Sequence, residues 1–99
     1  MTVYVLAQIS IHDRPRYDRY ATGFMPVLVQ YGGRLLAADE GVERLEGVWQ
    51  ADKVVLIAFP DRAAADRWMT SPEYREISRD REAATEGPVL LVHGIDARS

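Results

Sequence analysis

The stretch Gln30-Tyr31-Gly32-Gly33-Arg34-Leu35 decides how this chain folds. Two consecutive glycines after an apolar helical pattern predict a helix stop, because glycine takes the left-handed conformation without a Cβ clash. Arg34 then opens a short apolar run, residues 34–38, that predicts a strand. Gly32-Gly33 thus turns one helix into one strand and puts a guanidinium at the seam. Leu45-Glu46-Gly47 follows a short way on. Glu46 is the nearest carboxylate flanked by apolar and glycine residues, and so the candidate partner for Arg34.

Upstream, Tyr20, Ala21, Phe24, Leu28 and Tyr31 form a helical stripe. Pro26 has no backbone N–H, which predicts a kink or loosened turn near Thr22-Gly23 within a helix that still reaches Tyr31. Asp13 is the expected N-cap, with Pro15 tolerated in the first turn. Before it, residues 2–11 alternate. Val3, Val5, Ala7, Ile9 and Ile11 share one face; Tyr4, Leu6, Gln8, Ser10 and His12 share the other.

Downstream, Asp39-Glu40-Gly41 signals a turn. Residues 42–49 have strand character, either as a continuation of the second strand or as a short hairpin arm, and residues 50–53 break it. Residues 54–59 are apolar at every position, so this strand should be buried on both faces. Asp61 caps the next helix, whose apolar face is Ala64, Ala65, Trp68 and Met69. Ser71-Pro72-Glu73-Tyr74 restarts a helix, with Tyr74, Ile77, Ser78 and Arg81 on one side. Gly87-Pro88 ends it, residues 89–95 make a last strand carrying His93, and the tail 96–99 should fray.

Strand, helix, strand, strand, helix, strand is the split βαβ order, an α+β, ferredoxin-like βαββαβ fold with an antiparallel sheet and both helices on one face. Three strands are apolar on both faces, yet two helices hide only one. An open face carrying Tyr4 and Leu6 should not stay wet on a monomer. The economical solution is a homodimer with sheets packed face to face.

At 99 residues the chain is expected to be one domain, 1–99, with 47% hydrophobic and 27% charged residues, the balance of an ordinary globular protein. A net charge of -3 argues against a nucleic-acid partner. Zero cysteines exclude disulfides, thiolate nucleophiles and cysteine-based metal sites. No apolar run is long enough to span a bilayer, and the N-terminus lacks the basic region of a signal peptide, so a cytoplasmic location without membrane association is expected.

Several residues are candidates for chemistry. Arg34 and Glu46 form either a structural ion pair or an anion anchor with an adjacent base. Arg81, on the stripe of Tyr74 and Ile77, either snorkels to solvent or reaches a pocket where it binds an anion. Tyr17, Tyr20, Tyr31 and Tyr74 lie on faces expected to turn inward, as amphipathic core residues or as phenols that position a substrate. Trp68 is expected in the core, and Trp49 in the core or a dimer contact. His12 and His93 lack ligand spacing, so no metal is expected, and no phosphate loop or nucleophile elbow is present.

Tyr-Gly-Gly-Arg at 31–34, Leu-Glu-Gly at 45–47, Ser-Pro-Glu-Tyr at 71–74 with Arg81 after it, and Asp-Arg-Pro at 13–15 together resemble the domain-of-unknown-function family 1330, within the dimeric α+β barrel superfamily. The resemblance covers nearly the whole chain and implies the ferredoxin-like protomer and the face-to-face dimer. The wider superfamily includes cofactor-free monooxygenases, haem-degrading enzymes, lactone isomerases and ligand-sensing domains. The haem-degrading pattern wants a histidine in the second helical region, and residues 61–85 have none.

The resulting expectation is a small pocket between helices and sheet, rimmed by Tyr20, Arg34, Glu46, Tyr74 and Arg81, with no cofactor. Glu46 and Tyr20 would be catalytic; Arg34, Tyr74 and Arg81 would bind a small anionic or aromatic ligand. The reaction would be an isomerisation or a cofactor-free oxidation. The alternative is a non-catalytic ligand-binding or scaffold dimer.

Overall fold

The computed structural model describes residues 1–95, so the expected fraying at 96–99 lies outside the described residues. The elements are β1 (Val3–Ile11), α1 (Arg14–Gln30), β2 (Arg34–Asp39), β3 (Lys53–Phe59), α2 (Arg62–Thr70), α3 (Pro72–Ala84), β4 (Thr85–Glu86) and β5 (Val89–His93). They form an α+β, ferredoxin-like fold. Each helix starts where a side chain satisfies an orphan backbone donor. Asp13 accepts from Arg16 N at 3.2 Å, Asp61 from Ala64 N at 2.7 Å, and Ser71 from Tyr74 N at 3.1 Å. Ser71 also donates to Trp68 O at 2.8 Å, which ties the end of α2 to the start of α3.

The strand order is β2-β3-β1, with β4 and β5 both paired to β1, all antiparallel. β4 and β5 keep one unbroken register on β1: Glu86 faces Ser10 and Val89 faces Ala7. The gap falls at Pro88, which has no N–H to give. Gly87 has φ +135, and a Cβ there would lie 1.9 Å from the Gln8 carbonyl oxygen.

α1 continues through Pro26 to Gln30. The glycine pair that follows divides two tasks. Gly32 takes φ +81 with open space around it. Gly33 does not need a special φ; it makes room, since a Cβ there would come within 2.3 Å of Leu28 Cδ1 and 2.8 Å of Phe59 Cε1.

Cross-strand partners share a face, so the registers sort the sheet. Val3, Val5, Ala7 and Ile9 of β1, with Lys53, Val55, Ile57 and Phe59 of β3, lie under the helices. Phe24, Leu28, Ala65 and Trp68 cover them. Tyr4, Leu6, Val54, Leu56, Leu90 and Val92 lie on the other face, which none of the described helices covers.

Three expectations are corrected. Residues 42–49 form neither a hairpin arm nor an extension of β2 but an irregular segment. Neither alternating set in that stretch is wholly apolar, so neither face of a strand would bury well. Met69 is exposed rather than part of the α2 apolar face. Tyr31 is half-buried and points its hydroxyl to the surface, donating to Glu73 Oε1 at 2.9 Å.

Candidate functional site

A cavity of about 160 Å³ lies between the sheet and the helices. Its floor is Val5, Ala7 and Ile9 of β1 with Val55 and Ile57 of β3; its roof is Tyr17, Tyr20 and Phe24 of α1, Trp68 of α2, and Tyr74 and Arg81 of α3. Small residues stand where the layers face one another, Ala7 on β1, Ala21 on α1 and Ala38 on β2, and they leave space that larger side chains would fill. Ala21, Met25, Leu35 and Ala38 are the exposed lining residues on α1 and β2, so the cavity opens between α1 and edge strand β2.

Aromatic rings dominate the roof. Trp68 packs against Tyr74 at 4.0 Å between centroids and against Phe59 at 5.3 Å. The hydroxyls of Tyr20 and Tyr74 are 3.1 Å apart, and either can donate. Burial pushes the Tyr20 phenol well above its ordinary pKa, Tyr74 adds to the effect, and Arg81 opposes it. Tyr20 therefore keeps its proton at neutral pH and serves as a donor rather than a base.

Two cations face this apolar space. The Arg81 side chain is 19% exposed and lies 3.9 Å from Glu82, too far for a hydrogen bond, while the Tyr74 hydroxyl is its nearer partner. Burial works against its charge, but the neighbouring Tyr74 and Tyr20 phenols more than offset that, and its pKa is raised. Lys53, 13% exposed, has its ammonium 4.9 Å from the Tyr17 ring centre and 3.9 Å from Glu40. Glu40 in turn is bridged by Arg14, which holds its carboxyl below the usual range. Two buried nitrogens, Arg81 Nε and Trp68 Nε1, have no hydrogen-bond partner among the described residues. Among the described residues, no carboxylate or imidazole lines the cavity.

Of the residues expected at the rim, Tyr20, Tyr74 and Arg81 come together. Arg34 does not join them: it pairs with Ala58, which pairs with Tyr4, and so stands on the open sheet face. Glu46 lies exposed in the irregular segment and away from the lining. The expected ion pair between Arg34 and Glu46 is not among the salt bridges of the described residues. His12 and His93 are also outside the cavity. Among the described residues, no group of three or more His, Cys, Asp or Glu could hold a metal ion, and no helix is long and apolar enough to cross a membrane. Lys53 and Tyr17 are the lining residues that sequence reasoning underrated. The available signal was the alternation Lys53, Val55, Ile57, Phe59, which puts the lysine on the helix-facing side.

Residues 2–95 match the family model described as a domain of unknown function, DUF1330. The chain belongs to the DUF1330 family. Comparison with curated protein sequences finds no match. Among solved structures, this DUF1330 chain is similar to RPA0582 from Rhodopseudomonas palustris, a protein of unknown function, with TM-score 0.81 and 20% identity over 94% of this chain and 82% of that one. It is similar to a dimeric ferredoxin-like protein of unknown function from Jannaschia sp. CCS1, with TM-score 0.68 and 16% identity over 95% and 100%. It is also similar to SnoaB, a cofactor-independent oxygenase from Streptomyces nogalater, with TM-score 0.61 and 14% identity over 94% and 92%. At these identities the likeness is one of fold.

Proposed function

We propose that this DUF1330 protein is a single-domain, cytoplasmic homodimer whose cavity takes a small organic acid or aromatic metabolite and transforms it without a cofactor. The observation that carries the reading is the polarity of the cavity. Its nitrogens are donors, burial holds the Tyr20 phenol in its protonated form, and among the described residues neither carboxylate nor imidazole competes for them. Such a lining is complementary to negative charge developing on a substrate oxygen, as in an enolate or phenolate. Isomerisation and cofactor-free oxygenation both pass through species of that kind, and the oxygenase among the structural relatives supports the second. Tyr20 and Tyr74 would orient the substrate and donate to its oxygen, and Arg81 would balance the charge.

A second copy would pack on the sheet face that the helices leave open. The open sheet face carries Tyr4, Leu6, Val54, Leu56, Leu90 and Val92, and a copy of the same face would cover them. Arg34 would lie within that contact. Glu46 would act as the base only by entering the cavity of a partner protomer, because its own chain holds it outside.

The alternative, a dimer that binds a small ligand without turning it over, is favoured by the same lack of a carboxylate in the cavity. A thermal-shift screen of small carboxylates, phenols and lactones tests the shared part of both readings. A stabilisation of several degrees by one class is expected. No shift from any compound would leave only a scaffold. Turnover of the hit, lost in Glu46→Gln at unchanged melting temperature, separates enzyme from binder.

A further inference from the structure

We infer that a second copy docks on the open sheet face with its strands running antiparallel to the first, so that Arg34 of each chain meets Asp39 of the other. The inference rests on the reading of that face as a dimer contact and goes on to fix how the two copies meet. The charged strand residues on this face, among those described, are Arg34, Asp39 and Glu86, and they are sorted by sign along it. Arg34 stands in one row with Ala58, Tyr4 and Val92. Asp39 stands two rows on with Val54 and Gln8, and Glu86 one row further beside Ser10. Between the two ends lies an apolar row of Ala37, Leu56, Leu6 and Leu90. All three charged side chains are exposed, and none of them enters a salt bridge among the described residues.

In aligned packing of two like sheets, the two-fold axis runs either along the strands or across them. An axis along the strands lays each row over its own copy. That sets Arg34 against Val92 and leaves Asp39 with no cation opposite. An axis across the strands, over the Leu6 and Leu56 row, reverses the order of the rows. Leucine then meets leucine, Arg34 meets Asp39 on both sides of the axis, and the Tyr4 hydroxyl meets the Gln8 amide. Sheets packed about 10 Å apart leave an arginine and an aspartate room to pair. Only the second arrangement is complementary in charge, which is what fixes orientation in an interface.

The test is the dimer dissociation constant of the full chain by sedimentation equilibrium at low salt, with the fold of each variant checked by circular dichroism. Arg34→Glu is expected to raise it about tenfold, because each attractive pair becomes a like-charge pair and symmetry counts the change twice. Adding Asp39→Arg to Arg34→Glu rebuilds the pairs in reversed order and should return the constant to near the wild-type value. Asp39 also accepts from Gly41 N at 2.7 Å. If Asp39→Arg does not fold for want of that bond, Asp39→Asn keeps the acceptor and removes the repulsion. Arg34→Glu with Asp39→Asn should then dimerise more tightly than Arg34→Glu alone. A wild-type dimer indifferent to Arg34→Glu, or weakened by it and not rescued by the second change, would overturn the pairing and leave the face-to-face contact standing. A single-chain mass for the wild type would overturn both.

Discussion

The hydroxyls of Tyr20 and Tyr74 meet 3.1 Å apart beneath α1 and α3. This contact fastens the two helices over the cavity, and it adds to the burial that raises the Tyr20 phenol's pKa. Replacing Tyr20 with Phe leaves the Tyr74 hydroxyl buried with one partner fewer. The expected loss is about 1–2 kcal/mol of unfolding free energy, measured by urea denaturation.

The same phenol sets an alkaline limit. Its folded pKa is raised, so the folded chain keeps a proton that the unfolded chain gives up. Stability is full below the ordinary tyrosine pKa of about 10 and falls as the pH rises above it toward the folded value. Tyr20→Phe should flatten that fall, which melting temperatures across the alkaline range would reveal.

The adjacent glycines should respond to alanine for different reasons. Gly33→Ala forces a methyl into Leu28 and Phe59, and overpacking of this sort costs about 1–3 kcal/mol. Gly32→Ala meets no atom and pays only for its positive φ, about 1–2 kcal/mol. Gly87→Ala drives a methyl into the Gln8 carbonyl, against backbone that cannot step aside. It should be the most disruptive of the three in the yield of folded protein.

Acid should loosen the helical layer. Asp80 on α3 accepts from Arg16 at 2.9 Å and Arg19 at 3.2 Å on α1, and these bonds hold its carboxyl below the usual range. That contribution is full above the ordinary carboxyl pKa of about 4 and is lost as the pH drops through the lowered folded value. The groups are exposed, so the effect is modest. Asp80→Asn should remove it, making the acid limb of the melting-temperature profile shallower.

The dimer can be tested separately. Light scattering at micromolar concentration should give twice the 11.2 kDa chain mass. A charge placed on the open sheet face, Leu56→Glu, should return it to the single-chain mass. A wild-type mass of 11.2 kDa would contradict the face-to-face packing.

Much of this was legible in the sequence because it depends on local chemistry. The caps Asp13, Asp61 and Ser71 satisfy donors within three residues, so spacing alone identifies them. Alternation in β1 gives both faces of the central strand. Tyr20, Tyr74 and Arg81 were found because helical spacing carries them inward together. What failed depends on distant pairing. The face of Arg34 is fixed by its register with Ala58 and by the bulge between Leu35 and Ala37, neither of which spacing reveals. Residues 42–49 contain valines and a tryptophan that favour strands, but neither alternating set in that stretch is wholly apolar, so pairing along the free edge of β2 would bury little. Lys53 looked like part of a break because its cavity exists only once α1 is laid over β3.

The central claim is that the cavity beneath Tyr20, Tyr74 and Arg81 is the functional site. The chain has two tryptophans, Trp68 on that cavity and Trp49 on a shallow depression with Gln8 and Ser10. Two indole N–H signals in a nitrogen-edited NMR spectrum therefore report the two places independently. On titration with the compound that most stabilises the protein in the thermal-shift screen, the Trp68 signal should move saturably while the Trp49 signal stays. Saturable movement of Trp49 with Trp68 unmoved would place the ligand elsewhere and contradict the account.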